Sequence, residues 1–370
     1  MVCVRSAEYF RFMSSVKQPS RTPSQAQNTR VRVVIWLAGG AGLLVAIALL
    51  LGSGLADILR FIDIAGWRLL WLVPLHLVPL ACYGCAWRSL LVEERAPGGL
   101  YDEQDDELVP SRVYLTWAAV VREAVGVLLP VARVGGEVVG ARLLIRRGIS
   151  GTTAGASVVV ELMLTVVAQL IFALTGFVLL LGYPMVGQVG RIVGLGLLAS
   201  ALGVVLFFVV QRRWGLFRLM ERALSFIAGD ALTRVIGDPA RLDEAIHVMF
   251  RRTRRVLACS AWQLTGMVAG AFELWVTLRL LGRPTSMRAS IVLESLSTAV
   301  QSITFMVPAG LGAQEGGFVL FGAAVGLSPQ VALALSLARR VRQIALGLPA
   351  LGSWYWTERR ARRPSVASAT

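Results

Sequence analysis

Charged residues lie inside long apolar stretches of this sequence, where they could bind a polar or charged molecule. Glu137 and Glu315 each follow an interruption of such a stretch by proline and glycine, and Arg339 and Arg342 lie well inside the last stretch. Carboxylates accept hydrogen bonds from hydroxyl and amine groups, whereas the planar guanidinium group of arginine pairs with phosphate. These residue types therefore indicate a binding site for a polar headgroup.

The same residues also have simpler structural explanations. Each of the two glutamates is expected in the first turn of a helix, where the helix dipole favours a carboxylate, so both could act only as helix caps. Arg339 and Arg342 could line a polar pocket, or their side chains could extend toward a membrane interface. Glu161, Glu273 and Glu294 also lie in apolar segments, where each could pair with an arginine. The sequence leaves these alternatives open.

The composition is that of a membrane protein. Hydrophobic residues make up 56% of the chain, the mean hydropathy is +0.67, and only 16% of residues are charged, against about 25% in soluble domains. A helix of about 20 apolar residues crosses the hydrocarbon core of a bilayer. Six runs predict firm spans of this kind: Val33–Leu51, Trp67–Leu91, Thr152–Leu181, Val189–Val210, Val256–Leu281 and Ser328–Trp356.

The arginine distribution predicts the orientation of these spans, because basic loops stay on the cytoplasmic side. The N-terminal tail (1–32), the loop 212–255 with its ten arginines, and the tail 357–370 are basic. We therefore expect both termini in the cytoplasm of a bacterium, with one transmembrane domain (33–356) in its inner membrane. The net charge of +15 is then a topology signal rather than a nucleic-acid footprint, and loop 212–255 could bind anionic inner-leaflet lipids.

Two further apolar segments, 113–147 and 289–326, are interrupted near their middle. Pro130, Glu137, Gly148 and Ser150 match Pro308, Glu315, Gly326 and Ser328 at one constant offset of 178 positions. The chain is therefore predicted to be an all-α polytopic membrane protein with two broken helical hairpins in an inverted repeat, its halves being about 33–182 and 189–356. Hairpins that enter and leave on one side are favoured, and hairpin arms that cross the whole bilayer are the alternative.

Two stretches next to the breaks resemble a known family. The segments 133–144 (RVGGEVVGARLL) and 307–318 (VPAGLGAQEGGF) are similar to the transmembrane domain of lysylphosphatidylglycerol synthases and its stand-alone relatives. The resemblance runs from about Val33 to Trp356. Within the family, the sequence is most similar to the HpnL-type proteins associated with hopanoid biosynthesis. Two departures are that two glycines, Gly135 and Gly136, precede the first glutamate, and that no soluble aminoacyl-transferase domain follows Trp356.

The resemblance implies lipid handling, so we expect a lipid transporter or flippase-like protein, possible hopanoid cargo, and no enzymatic activity, cofactor or metal. The alternatives are a membrane-embedded enzyme that modifies lipid headgroups and a non-catalytic partner of lipid-synthesis proteins. Cys82 and Cys85 form a Cys-x-x-Cys pair without a second pair, and His76 is expected to be a buried helix residue rather than a ligand. The expected lipid-binding residues are Arg133, Glu137, Arg142, Glu315, Arg339 and Arg342, with Glu161, Glu273 and Glu294 as secondary candidates.

Overall fold

The computed structural model describes residues 60, 63–92, 109–129, 134–183, 194, 239–303 and 312–362. These residues belong to a compact unit that spans Ile35–Thr370. Within the described ranges the protein is 88% helical, with nine α-helices and no strands. The all-α class expected from the sequence is therefore confirmed.

The helices follow the apolar runs of the sequence closely. A 3₁₀ helix, Gly66–Trp71, leads directly into the first α-helix. The α-helices are α1 (Leu72–Leu91), α2 (Arg112–Leu128), α3 (Val134–Ile145), α4 (Gly151–Leu180), α5 (Pro239–Arg251), α6 (Thr253–Leu280), α7 (Met287–Ile303), α8 (Ala313–Ala324) and α9 (Pro329–Arg362). Four of the six predicted spans correspond to α1, α4, α6 and α9, while Val33–Leu51 and nearly all of Val189–Val210 lie outside the described residues.

A tight turn between α3 and α4 is built by two residues that the sequence repeat contains. Gly148 has a φ of 89°, a left-handed conformation that glycine adopts without a steric penalty and that commonly ends helices. Ser150 then begins α4, because its hydroxyl oxygen accepts the backbone N–H of Thr153 at 3.1 Å. Glycine thus ends one helix and serine starts the next.

The turn between α8 and α9 has the same construction. Gly326 has a φ of 86°, and the hydroxyl of Ser328 faces the backbone N–H of Val331 at 3.5 Å. The two hairpins also have equal arms, since α2 and α7 contain 17 residues each and α3 and α8 contain 12 each. The turns after the two short arms therefore correspond, while the breaks, with Pro130 and Pro308, lie outside the described residues.

The long first arm of each hairpin packs on the long helix that follows the other hairpin. The first hairpin arm, α2, packs on α9, and its counterpart α7 packs on α4; α1 packs extensively on α6. Trp87 on α1 and Phe318 on α8 are the largest side chains that are fully buried. This arrangement brings the broken hairpins against the long helices α4 and α9.

Two described helical segments are long and apolar enough to cross a membrane. They are Asp63–Leu91 and Gly151–Leu180, and only 39% and 33% of their most apolar windows are buried inside the protein. Large apolar side chains such as Trp71 and Val178 point outward, as expected for helices surrounded by lipid. The helices α6 and α9, with 28 and 34 residues, are long enough but more polar, so the number of six spans stays a prediction.

The described end of the basic loop 212–255 forms α5, an amphipathic helix. Leu242, Ile246 and Met249 are buried, whereas Arg241 and His247 are exposed. The apolar residues recur every three or four positions, as a helix with one buried face requires. This face packs on α4, so α5 is a connector that rests on the helix bundle.

Candidate functional site

Three arginines of α9 contact three carboxylates that come from three different helices. Arg339 pairs with Glu294 on α7, Arg340 with Glu315 on α8 at 3.2 Å, and Arg342 with Glu273 on α6. Successive residues of a helix point about 100° apart, so a short run of arginines reaches partners on several sides. Each pair thereby connects α9 to a different neighbour.

Glu315 has both of the roles that the sequence left open. Its Oε2 accepts the backbone N–H of Gly312 at 2.8 Å, so the carboxylate caps the start of α8. Its Oε1 accepts hydrogen bonds from the hydroxyl of Ser336 and from Arg340, both at 3.2 Å. The carboxylate is 6% exposed and is both a helix cap and a member of a buried ion pair.

A second cluster surrounds Arg122 in the first hairpin. Its guanidinium group donates to Glu137 on α3 and to Glu161 on α4, the latter at 2.7 Å. Its central carbon also lies 4.5 Å from the centre of the Trp87 ring, within the range of cation–π attraction. Gln263 on α6 donates to the same Glu161 at 3.4 Å. One arginine therefore joins α2, α3 and α4.

Two glycines of α3, Gly136 and Gly140, have a steric reason in this cluster. A Cβ atom at Gly136 would lie 2.4 Å from the backbone carbonyl oxygen of Arg122, well inside van der Waals contact. A Cβ at Gly140 would lie 2.8 Å from the Cδ of the same arginine. Glycine at both positions lets α3 approach α2 closely enough for Glu137 to contact the guanidinium group.

A third cluster is centred on His76 of α1. Its Nδ1 lies 2.7 Å from Glu273 Oε2 on α6, and its Nε2 lies 3.0 Å from Glu123 Oε2 on α2. Because Glu273 also pairs with Arg342, this cluster connects α1, α2, α6 and α9. His76 is buried, as the sequence predicted, but it also binds two carboxylates, which the sequence did not indicate.

The predicted binding residues are divided between different places. Arg142 is half-exposed and pairs with Glu358 near the end of α9 at 3.0 Å, whereas Glu137 pairs with Arg122. Arg133 lies outside the described residues. Glu315 contacts Arg340 rather than Arg339 or Arg342, because the rotation of α9 turns Arg340 toward α8. The structure therefore does not bring the five described residues of this set into one contact network.

Each of the three secondary candidates contacts an arginine: Arg122 for Glu161, Arg342 for Glu273 and Arg339 for Glu294. Sequence reasoning missed Arg122, Glu123 and Arg340 as members of these clusters. A signal for the first two was present, since adjacent charges in an apolar hairpin arm are costly unless they have partners. Their partners, however, come from distant parts of the chain and could not be chosen from the sequence.

The ion pairs of α9 are buried deeply enough to affect the stability of the folded protein. Arg342 is 5% exposed and Glu273 4%, and removing one partner of a buried ion pair typically costs about 3 to 5 kcal/mol. The Nε atom of Arg342 has no hydrogen-bond partner among the described residues.

The described residues contain no group of three side chains that could hold a metal ion. Among these residues, Cys82 and Cys85 are free thiols.

Glu358, at the outer end of α9, behaves differently from these clusters. Partial burial alone would raise the pKa of its carboxyl, but the hydrogen bond and charge of Arg142, with the charge of Arg146, hold that pKa below its usual value. The pair lies beyond the predicted end of the last span at Trp356. It therefore ties the end of α9 to α3 and to the turn after α3, away from the buried clusters.

Comparison with known protein families gives a match over most of the chain. A family model described as lysylphosphatidylglycerol synthase TM region matches residues 31–350. No curated protein and no solved structure gives a significant match. The matched range includes every helix described here, except for the last part of α9.

Proposed function

This chain belongs to the family of lysylphosphatidylglycerol synthase transmembrane regions, and from that premise we propose that it moves a membrane lipid as a flippase-like transporter. Membership of this family indicates a membrane protein with a lipid-related role. The observation that carries the proposal is the set of buried ion pairs, each of which joins two helices inside an apolar bundle. Such groups usually mark a substrate or ion pathway in a membrane protein.

The lengths of the short hairpin arms support hairpins that enter the membrane only part of the way, as in many transporters. A helix of 12 residues, such as α3 or α8, rises about 18 Å, and a bilayer core is about 30 Å thick. Arms of this length suit hairpins that enter and leave on the same side. In transporters with inverted repeats, broken helices of this kind form the substrate site near the middle of the membrane.

The ion pairs also suggest how a headgroup is recognised. Every carboxylate in the clusters already has a partner, so a lipid headgroup has to exchange places with one of them. A lipid phosphate would compete for Arg339, Arg340 or Arg342, and hydroxyl or amine groups would compete for Glu137 or Glu315. We propose an amino- or polyol-hopanoid as the substrate that depends chiefly on the two glutamates.

The location of the protein belongs to the same proposal. We propose that both termini lie in the cytoplasm of a bacterium and the helices in its inner membrane, because the two tails and the loop are basic. The arginines of loop 212–255 would then lie near the anionic inner leaflet, where proteins of lipid synthesis could deliver the substrate.

Transport by the purified protein in liposomes tests the proposal. Fluorescent phosphatidylglycerol and a fluorescent amino-hopanoid are placed in both leaflets, and membrane-impermeant dithionite then destroys the label in the outer one. We expect protected label to become accessible faster with protein than in empty liposomes, without chemical change to the lipid. Mass spectrometry of the recovered lipid provides the control, because a modified headgroup would instead show a membrane-embedded enzyme.

Absence of movement and of modification with either lipid would contradict both activities. It would favour the remaining alternative, a non-catalytic partner of lipid-synthesis proteins. A double variant, Glu137→Gln with Glu315→Gln, serves as the matched protein control, because it has the same size and lacks both carboxylates.

A further inference from the structure

The contacts of His76 require one proton more than its ordinary neutral form supplies. A neutral imidazole has one N–H donor and one bare nitrogen that can only accept, and an ionised carboxylate also only accepts. Both ring nitrogens nevertheless lie at hydrogen-bond distance from carboxylates, those of Glu273 and Glu123. The two contacts are hydrogen bonds at the same time only if an added proton sits on the ring or on one carboxyl.

Charged side chains from three helices surround His76. The charged groups that act on His76 are Glu123 of α2, Glu273 of α6, and Arg342 and Arg339 of α9. Arg339 is balanced by its own partner on α7. In the remaining group, two carboxylates face Arg342 and the histidine. An added proton offsets one of these two negative charges, and its loss increases the negative charge beside the ring inside an apolar bundle, which is costly.

We propose that His76, Glu123 and Glu273 form a proton-binding site whose loading and release are coupled to lipid movement; this inference rests on the proposed function. The proton comes from water on one side of the membrane and leaves to water on the other. Chains of histidine and carboxylate groups carry protons in many membrane pumps and transporters. The site supplies a driving force that the lipid-binding clusters alone do not explain.

The contacts also show how proton release would reach the hairpin. Without the proton, a bare ring nitrogen faces a carboxylate oxygen, and one of the two hydrogen bonds is replaced by repulsion. The bond to Glu123 holds α1 against α2, and the neighbouring Arg122 holds α2 against α3 through Glu137. Deprotonation therefore loosens the same hairpin arm that the proposed transport has to move.

The protonation of His76 can be measured directly, because the chain contains few histidines. The chain contains two histidines, and His247 is exposed on α5, so the His247→Gln variant retains one imidazole. Its ¹⁵N nuclear magnetic resonance signals are recorded in phosphatidylcholine nanodiscs between pH 5 and 9. We expect a pH-dependent transition of the ring signals that moves when Glu273→Gln is added, because coupled groups titrate together. Ring signals that stay constant over this range would overturn the proton site.

A second experiment tests whether protonation of His76 is coupled to lipid binding or occurs independently of it. If proton and lipid binding are coupled, each must change the affinity for the other by the same factor. Replacing a third of the phosphatidylcholine with phosphatidylglycerol, and separately with an amino-hopanoid, should therefore shift the transition of His76 with at least one of them. A transition unmoved by both lipids would overturn the coupling, while leaving the transport proposal to its own assay.

Transport in liposomes with an imposed pH difference is the third measurement. We expect lipid movement by the wild type and by His247→Gln to depend on the direction of the pH difference, and we expect His76→Gln to lose that dependence. Movement that is equal with and without the pH difference in the wild type would contradict coupling but not transport. Absence of any movement in the wild type would contradict the proposed function, and the resonance titration would still decide the proton site.

Discussion

Gly148 and Gly326 lie 178 positions apart and adopt the same left-handed backbone conformation, with φ angles of 89° and 86°. Each residue follows the short arm of a broken hairpin and precedes the serine that starts a long helix. A side chain in this conformation costs about 1 to 2 kcal/mol, because its Cβ crowds the backbone. The correspondence is local, and superposition of the two halves stays a prediction of the inverted repeat.

Replacing either glycine with alanine should therefore destabilise the protein. We expect Gly148→Ala and Gly326→Ala each to lower the free energy of unfolding by about 1 kcal/mol, measured by unfolding in detergent micelles with added denaturing detergent. Gly352→Ala is the matched control, because Gly352 lies inside α9 with open space around a Cβ and alanine favours helix by about 1 kcal/mol. Equal stability of all three variants would show that the left-handed turns are not required.

The carboxylates of the two hairpins should be needed for transport in addition to their contribution to stability. Glu315→Gln retains an oxygen that can accept the N–H of Gly312 but removes the charge that faces Arg340. We expect Glu137→Gln and Glu315→Gln each to abolish lipid movement in liposomes while the protein still expresses and inserts, with a lower free energy of unfolding. Glu358→Gln, at the outer end of α9, should transport like the wild type. Normal transport by both hairpin variants would show that these carboxylates are only structural.

Arg342 should contribute more to stability than a half-exposed arginine does. Arg342→Met leaves Glu273 buried without its ion-pair partner, which should cost about 3 to 5 kcal/mol in unfolding free energy. The double variant with Glu273→Gln should regain part of that loss, as measured in a double-mutant cycle. Arg142→Met, whose side chain is half-exposed, should cost no more than about 1 kcal/mol. Similar losses at both arginines would contradict the proposed importance of burial.

The pair of Glu358 with Arg142 should make stability depend on pH on the acidic side. The folded protein holds the pKa of Glu358 below its ordinary value of 4.5, so the folded state favours the ionised carboxyl. Its stabilising contribution is then present above pH 4.5 and is lost as the pH falls through the lowered value. Thermal unfolding from pH 7 to pH 3 should show a smaller loss for Glu358→Gln than for the wild type.

The proposed topology predicts which positions face the outside of the cell. In a chain without its natural cysteines, single cysteines are placed at Ser14, Gln188 and Ser365, all outside the described residues. An impermeant maleimide added to intact cells should label only the cysteine at 188, because the arginine distribution keeps both tails inside. Labelling at position 14 or 365 before the membrane is opened would refute the cytoplasmic assignment of that tail.

The sequence predicted the helices better than the contacts between them. Apolar runs marked the positions of α1, α4, α6 and α9, because a helix of sufficient length and hydropathy is a local property. For Arg342 the sequence left open a polar pocket or a position near the membrane interface, and its side chain is buried among the helices. The partner of Glu315 was not foreseen, because choosing Arg340 over its neighbours needs the rotation of α9 against α8.

The network around His76 was less accessible to sequence reasoning for the same reason. Glu123 and Glu273 are 150 positions apart, and nothing in their local sequence relates them to each other. Only the packing of α1 against both α2 and α6 brings the two carboxylates to one imidazole ring. The role of Gly136 was similarly hidden, since its necessity comes from the backbone of a neighbouring helix.

The three ion pairs of α9 place a constraint on how this sequence can evolve. Changing one charged residue of a pair strands its partner in an apolar bundle, so a single substitution is costly where a compensated double substitution is not. We therefore expect correlated changes among descendants of this chain at positions 294 with 339, 315 with 340, and 273 with 342. The ion-paired positions of α9 would then change in pairs of residues, while positions on its lipid-facing side change one residue at a time.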